Sequence, residues 1–273
     1  MRKSFSILAF AALMLTVASC DKIDINNTHK PYSASGGGKT VLIKDFTGVR
    51  CVNCPAAAET AHELQHQLGA DRIFIMGVHA GFLATPVGLF PDFRTEEGTA
   101  WYNNNASNPL FSVDHVALTE GNTLNESQLD APVADALAEP QTFKILIENT
   151  YDNTARQLRV NNTFSALGNG EGKYYGTVCL LEDSIVGRQR VPSSVVAGGV
   201  DTAYVFRNVF RGTLNGADGE LVSNGHYYAN DEFTLNCAMT LDETYNADQC
   251  YILTYIYDYD SGKIIQTEMK KVK

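Results

Sequence analysis

The chain carries no cationic excess: 21 lysines and arginines face 31 aspartates and glutamates, for a formal net charge of −10. No basic patch for nucleic acid is expected on such a surface. Long apolar runs are equally scarce. After residues 5–17 no stretch approaches the ~20 residues that a membrane-spanning helix needs. No internal repeat is visible, so a stacked-repeat architecture is not expected. Cys51 and Cys54 form a close pair, while Cys179, Cys237 and Cys250 supply no second pair to complete a four-cysteine zinc site. Neither a metal nor an organic cofactor is expected.

What is present fits an exported, folded protein. With 44% hydrophobic and 19% charged residues over 273 positions, there is apolar material for one large domain or two ordinary ones. The N-terminus reads MRKSFSILAFAALMLTVASC: Arg2 and Lys3, an apolar run, then small residues. That run is too short to span a bilayer and reads as a secretory signal. The ending Val17-Ala18-Ser19-Cys20 resembles a bacterial lipobox. The resemblance implies that residues 1–19 are removed and that lipidated Cys20 attaches the mature chain to a membrane. Loss of Arg2 and Lys3 makes the mature charge two units more negative. Export also places the cysteines where disulfides persist. Five cysteines lie beyond Cys20, an odd number, so at least one thiol is free, transient or intermolecular.

Residues 20–38 are polar and aperiodic and end in three glycines, as a flexible tether would. The run GGGKT imitates the end of a phosphate-binding loop. That reading fails because Ser33 stands where the first glycine belongs and Lys39-Thr40 leads into a strand, not a helix. Residues 39–139 read as an α/β domain. A strand is predicted at 41–43, and a helix over 56–68 from the spacing of Ala57, Ala61, Leu64 and Leu68, with Gly69 as its cap. A buried strand over 72–78 completes a βαβ unit. A short helix over 96–104, a strand over 110–114 and a helix over 127–137, capped by Asn125 or Ser127, follow. After Pro140 the texture changes: segments such as TFKILIENTY and CYILTYIYDYD alternate apolar with polar residues between Asn, Asp and Gly turns. Residues 140–273 are expected to form an antiparallel β-sandwich.

The stretch RCVNCPAAAETAHELQHQLG holds two motifs. Cys51-x-x-Cys54 opens the predicted helix, where backbone amides and the helix dipole favour a thiolate. Cys51 would attack and Cys54 would resolve the mixed disulfide; the plainer alternative is a structural bridge. His62-Glu63-x-x-His66 matches the zinc-protease signature, but Arg72 stands at the third ligand position and arginine cannot ligate zinc. With Leu64 and Leu68 packed inward, both histidines are expected to face solvent. Cys237 shares a strand face with Phe233, Leu235, Met239 and Leu241, as a buried thiol would, and a Cys237–Cys250 bridge is compatible with the pattern.

The run LIKDFTGVRCVNC resembles the active-site segment of the thioredoxin superfamily, with Asp45 six residues before Cys51. The resemblance implies that Asp45 is buried near the resolving cysteine and assists its proton transfer, although a turn or capping acid would look the same. It also implies that Pro109, just before an apolar strand, is the cis-proline facing the CxxC. Arg50 departs from the family's usual tryptophan, and Val52-Asn53 from its Gly-Pro. DFTGVRCVNCP, CLLEDSIVGRQ and YVFRNVFRG together resemble the outer membrane protein 28-related lipoproteins, which implies a thioredoxin-like domain followed by a β-sandwich at the outer membrane, periplasmic or surface-exposed. Where that family often carries histidines, this chain has Phe206, Arg207 and Asn208. The function so implied is thiol–disulfide exchange on exported thiol or disulfide proteins, with Cys51, Cys54, Asp45 and Pro109 as its site. The rival is a binding or adhesion lipoprotein in which the thioredoxin-like part is only a scaffold.

Overall fold

A computed structural model describes residues 38–102 and 107–273. Cys20, the signal segment and all but the end of the tether lie outside the described residues.

The first half forms β1 (Val41–Thr47), α1 (Cys54–Leu68), β2 (Ile73–His79), α2 (Glu96–Trp101), β3 (Leu110–Val113) and α3 (Asp130–Ala138). β1 pairs parallel with β2 and antiparallel with β3. Its residues are buried almost throughout, because both faces of the sheet are covered. Val41 and Ile43 point toward Ala57, Ala61 and Leu64 of α1 and Val133 of α3; Leu42 and Phe46 enter a second cluster with Phe74, Met76 and Trp101. α1 begins two residues earlier than its apolar spacing predicts, since Pro55 is tolerated in the first turn, where amides lack partners anyway. The helix predicted over 127–137 divides into a 3-10 turn, Glu126–Gln128, closed by a capping box between Asn125 and Gln128, and α3.

The second half is all strand: β4 (Phe143–Asp152), β5 (Gln157–Ala166), β6 (Gly170–Glu182), β7 (Ile185–Arg190), β8 (Val200–Phe206), β9 (Val209–Thr213), β10 (Glu220–Tyr227), β11 (Glu232–Thr240), β12 (Cys250–Asp258) and β13 (Ile264–Lys271). Three sheets result. The large one runs β13-β12-β6-β9-β2-β1-β3, with β10 also on β6; a smaller one runs β11-β5-β4; and β7-β8 is a separate hairpin. The β11-β5-β4 sheet packs on β6 and β12 through Phe143, Ile145, Phe164, Leu180, Ile252 and Ile256, giving a two-layer β arrangement.

The large sheet crosses the change of texture at Pro140. β9, from the second half, lies parallel to β2 with Val209 opposite Gly77, and Gly77 N donates to Asn208 O at 3.0 Å. The join is tight at Gly77, where a side chain would press on the neighbouring backbone. A Cβ on Gly77 would sit 3.3 Å from Arg207 O. At the other edge Ile264 N donates to Asp114 O, and Thr40 N donates to Gln266 Oε1. Lys39, the lysine of GGGKT, is buried in an ion pair with Asp114.

Candidate functional site

Cys51 and Cys54 are joined by a disulfide. Cys54 is the first residue of α1, and residues 48–53 form the turn that connects it to β1. Both cysteines are 2% exposed, whereas Val52 and Asn53 between them lie at the surface. The turn is closed by Cys51 N donating to Gly48 O at 2.9 Å. Gly48 backs directly onto the 3-10 turn Phe82–Ala84: a Cβ there would lie 2.5 Å from the Leu83 carbonyl carbon. On that side Arg50 N donates to Leu83 O at 3.0 Å, and the Arg50 guanidinium donates to Phe82 O while lying 4.4 Å from the centre of the Phe82 ring.

Asp45 lies on the α1 face of β1, in step with Val41 and Ile43, at the strand end nearest the head of the helix. It is 5% exposed, and its Oδ1 is buried without a hydrogen-bond partner. Burial lifts its carboxyl to about 7, so near neutral pH this group can take up or release a proton. The Asn108–Pro109 peptide bond is cis. Asn108 Nδ2 donates to Thr47 O and Ala80 O, both at 2.8 Å, which holds Pro109 across from the end of β1. Phe46 and Leu110 face each other in that pairing.

Cys51, Cys54, Asp45 and Pro109 therefore converge at one end of β1. The second half of the chain completes their surroundings, which residue-by-residue reading does not anticipate. β7 lies against the disulfide turn: Arg190 N donates to Val49 O at 2.9 Å, and buried Gln189 Nε2 donates to Cys51 O at 2.8 Å and Gly48 O at 3.3 Å. Val49 packs with Phe93, Phe206 and Val209, flanked by Ile185 and Tyr204. His79, at the end of β2, lies 4.9 Å from Phe93 and 5.7 Å from Phe206 between ring centroids. Burial first, then the Arg211 charge, pushes its imidazole down to about 3. Asp183 receives Arg207 Nη1 at 3.3 Å and Asn208 N at 3.1 Å. CLLEDSIVGRQ and YVFRNVFRG contain most of these residues: Phe206 packs with Val49 of the disulfide turn, and the Arg207 and Asn208 carbonyls lie at Gly77 of β2 rather than in a remote sandwich.

The HELQH segment divides differently from its predicted pattern. His66 and Glu63 are exposed as expected, but His62 is half-buried. It feels the charges of Glu59, Arg207 and Asp183, and its pKa is lowered chiefly by burial. Arg207 and Asp183 of the second half of the chain therefore lie near this flank of α1. Gln65, in the middle of the motif, is buried and donates to Ile73 O at 2.7 Å. Cys179, Cys237 and Cys250 are free thiols, so the bridge compatible with positions 237 and 250 is not formed. Burial pushes all three up to about 12, away from thiolate chemistry.

The arrangement is that of a mixed α/β and β-layered protein with a buried disulfide at the head of a helix. The chain belongs to the outer membrane protein Omp28 family, whose sequence pattern matches residues 102–273. Its location is accordingly the outer membrane, and among the described residues no helix is long and apolar enough to cross a membrane. Among solved structures, HBP35 of Porphyromonas gingivalis shares the fold at a TM-score of 0.63 and 14% identity, over 87% of this chain and 76% of that one. A domain of the outer membrane lipoprotein Omp28 from Porphyromonas gingivalis is 20% identical over 48% of this chain and 88% of that one, at a TM-score of 0.30. No curated protein matches.

Proposed function

We propose that the chain is an outer-membrane lipoprotein, anchored through Cys20, whose thioredoxin-like first half, residues 39–139, exchanges thiols and disulfides with exported proteins. Cys51 attacks, Cys54 resolves, Asp45 moves the proton of the resolving thiol, and Pro109 shapes the groove for the partner. The observation that carries this reading is Asp45: a buried carboxyl with a pKa of about 7 at the head of the helix that bears the disulfide. A carboxyl tuned to neutral pH suits a step in which a thiol must ionise on demand. The test is reduction of insulin and oxidation of a reduced test protein, with Cys51→Ala as control. Wild-type protein inactive in both directions would refute the reading.

A second reading is favoured by a specific observation, the near-complete burial of both cysteines. In it the bridge holds the turn fixed, and the β layers of residues 140–273 carry a recognition surface. The reduction potential separates the two: a structural bridge lies below about −300 mV, and exchange proteins lie above it.

A further inference from the structure

A hairpin that belongs to neither of the larger sheets lies against the disulfide turn. β7 and β8 pair with each other in a two-stranded sheet of their own. An isolated hairpin is marginal in water, so this one depends on its underside. That underside includes the disulfide turn, with Val49, Phe93 and Val209 packed against Phe206, Ile185 and Tyr204. Three carbonyls of the turn, those of Gly48, Val49 and Cys51, are reached by two adjacent residues of β7, Gln189 and Arg190. Gln189 stands at an irregularity in the hairpin, where the register shifts between Gly187 and Gln189, and is 2% exposed although its neighbours Arg188 and Arg190 are half-buried and exposed. Its amide also reaches Arg190 O at 3.0 Å, so it turns inward onto the disulfide turn and back onto its own strand. Tyr204 of β8 lies close enough to Asp45 and Glu59 for their charges to act on it. The outer side of the hairpin and its tip are apolar and exposed at Val186, Val195 and Val205.

We infer that the β7–β8 hairpin is a lid over the Cys51–Cys54 disulfide and that Gln189 is the positioning residue that latches it. The inference rests on the exchange reading only for its use: the lid restricts exchange to partners that displace the hairpin. The lid itself is measured without any enzymatic activity. Dithiothreitol reduces the bond in two steps. One of its thiolates attacks a sulfur of the pair and releases the other cysteine as thiolate. Its second thiolate then closes the dithiothreitol ring disulfide and frees the remaining cysteine, so two electrons pass from reagent to protein.

The oxidised full chain is treated with dithiothreitol, and the appearance of alkylated Cys51 and Cys54 is followed by peptide mass mapping. In the folded wild type the rate is expected to fall at least about 100-fold below that in urea, because attack waits for a local opening. Gln189→Met keeps the length of the side chain and removes both donors; it should raise the folded-state rate roughly 10- to 100-fold, the factor for losing hydrogen bonds to buried carbonyls, and Gln189→Asn should restore part of the protection. A variant that merely loosened the whole fold would speed alkylation of buried Cys179 and Cys250 equally, which would count against a latch. Where Gln189→Met does not fold, hydrogen exchange on the wild type decides. The Arg190 amide, bonded to Val49 O, should exchange faster than the Ile252 amide of the central sheet, and equal rates would overturn the lid. Reduction of the folded wild type at the unfolded rate would remove the lid while leaving the exchange reading intact. A protected disulfide released by Gln189→Met, in a protein that exchanges nothing, would keep the lid and remove the exchange reading.

Discussion

Asp45→Asn should change the pH dependence of stability in a calculable way. The carboxyl titrates at an ordinary 3.8 when unfolded and at about 7 when buried under the head of α1. Below the unfolded value both states are protonated, and burial of the neutral acid carries no charge penalty. As pH rises through the window from 3.8 to about 7, the unfolded chain gives up its proton first, and the native state loses stability until both forms are ionised. The difference between 3.8 and about 7, at roughly 1.4 kcal/mol per pH unit, corresponds to about 4 kcal/mol. Asparagine does not titrate, so the variant lacks this loss. The measurement is urea unfolding of oxidised wild type and variant at several pH values from about 4 to about 8.5, taking the difference at each pH. Burial also raises Asp114 and Glu268, but those groups are common to both proteins and cancel in the difference. The stability of the variant relative to wild type should climb by about 4 kcal/mol across the window. A difference that stays level within about 1 kcal/mol would mean that Asp45 is ionised or solvated in the native protein, and the proton-transfer role would fall with it.

Lys44, one residue earlier, faces the opposite side of the sheet. It is fully buried, with Nζ 3.8 Å from the centre of the Trp101 ring and donating to Val116 O at 2.7 Å, and burial brings it down to about 7. A lowered base destabilises the fold below its folded pKa, and the penalty fades as pH rises toward 10.5. Lys44→Met should therefore stabilise by roughly 1–4 kcal/mol at pH 7 in a thermal or urea melt, and by less at pH 10. Reducing the Cys51–Cys54 bond opens a small loop, so Cys51→Ser should cost only about 2 kcal/mol on the chain-entropy model, read as a drop of a few degrees in melting temperature. Gly77→Val should destabilise by roughly 2–3 kcal/mol, because its side chain meets the Arg207 carbonyl where β9 joins β2. Tryptophan fluorescence can report that change, since Trp101 packs 4.9 Å from Phe210 of β9.

The parts legible in the sequence are those fixed by local chemistry. β1, α1 and β2 follow from apolar periodicity, from Pro55 in the first helical turn and from Gly69 at the helix end, whose amide returns to Gln65 O. The strands after Pro140 follow from alternation, as in the buried-exposed pattern at the start of β4. What escaped is the pairing of β9 with β2. β9 has five residues, and its partner offers a glycine whose meaning appears only once Arg207 O is placed beside it. The sequence therefore suggested two successive modules where one sheet runs through both. The lid escaped for a similar reason: Gln189 reaches a carbonyl 138 residues away, and nothing near position 189 distinguishes a buried amide in a short strand from a solvated one. His62 is half-buried, and Asp183 and Arg207 lie near enough for their charges to act on it, a long-range proximity that helical periodicity cannot supply.

Asp45 and the lid together bear on whether the disulfide turns over or only holds. A bridge that only holds gains nothing from an ionisable group beneath it. At position 45 an isoleucine would continue the apolar row of Val41 and Ile43, whereas the carboxyl costs about 4 kcal/mol above neutral pH. Burial of the sulfurs argues the other way only if the cover is fixed, and the hairpin that covers them is held by a side-chain amide, one backbone bond and a small apolar cluster. Opening that hairpin would hydrate Asp45 as well as expose the disulfide, drawing its pKa down toward 3.8 and releasing its proton as the partner arrives. In Gln189→Met, the pH window over which Asp45 changes stability should therefore narrow from its upper end. A window identical to that of the wild type, in a variant whose disulfide is readily reduced, would separate the acid from the lid and leave Asp45 as a buried charge with no part in exchange.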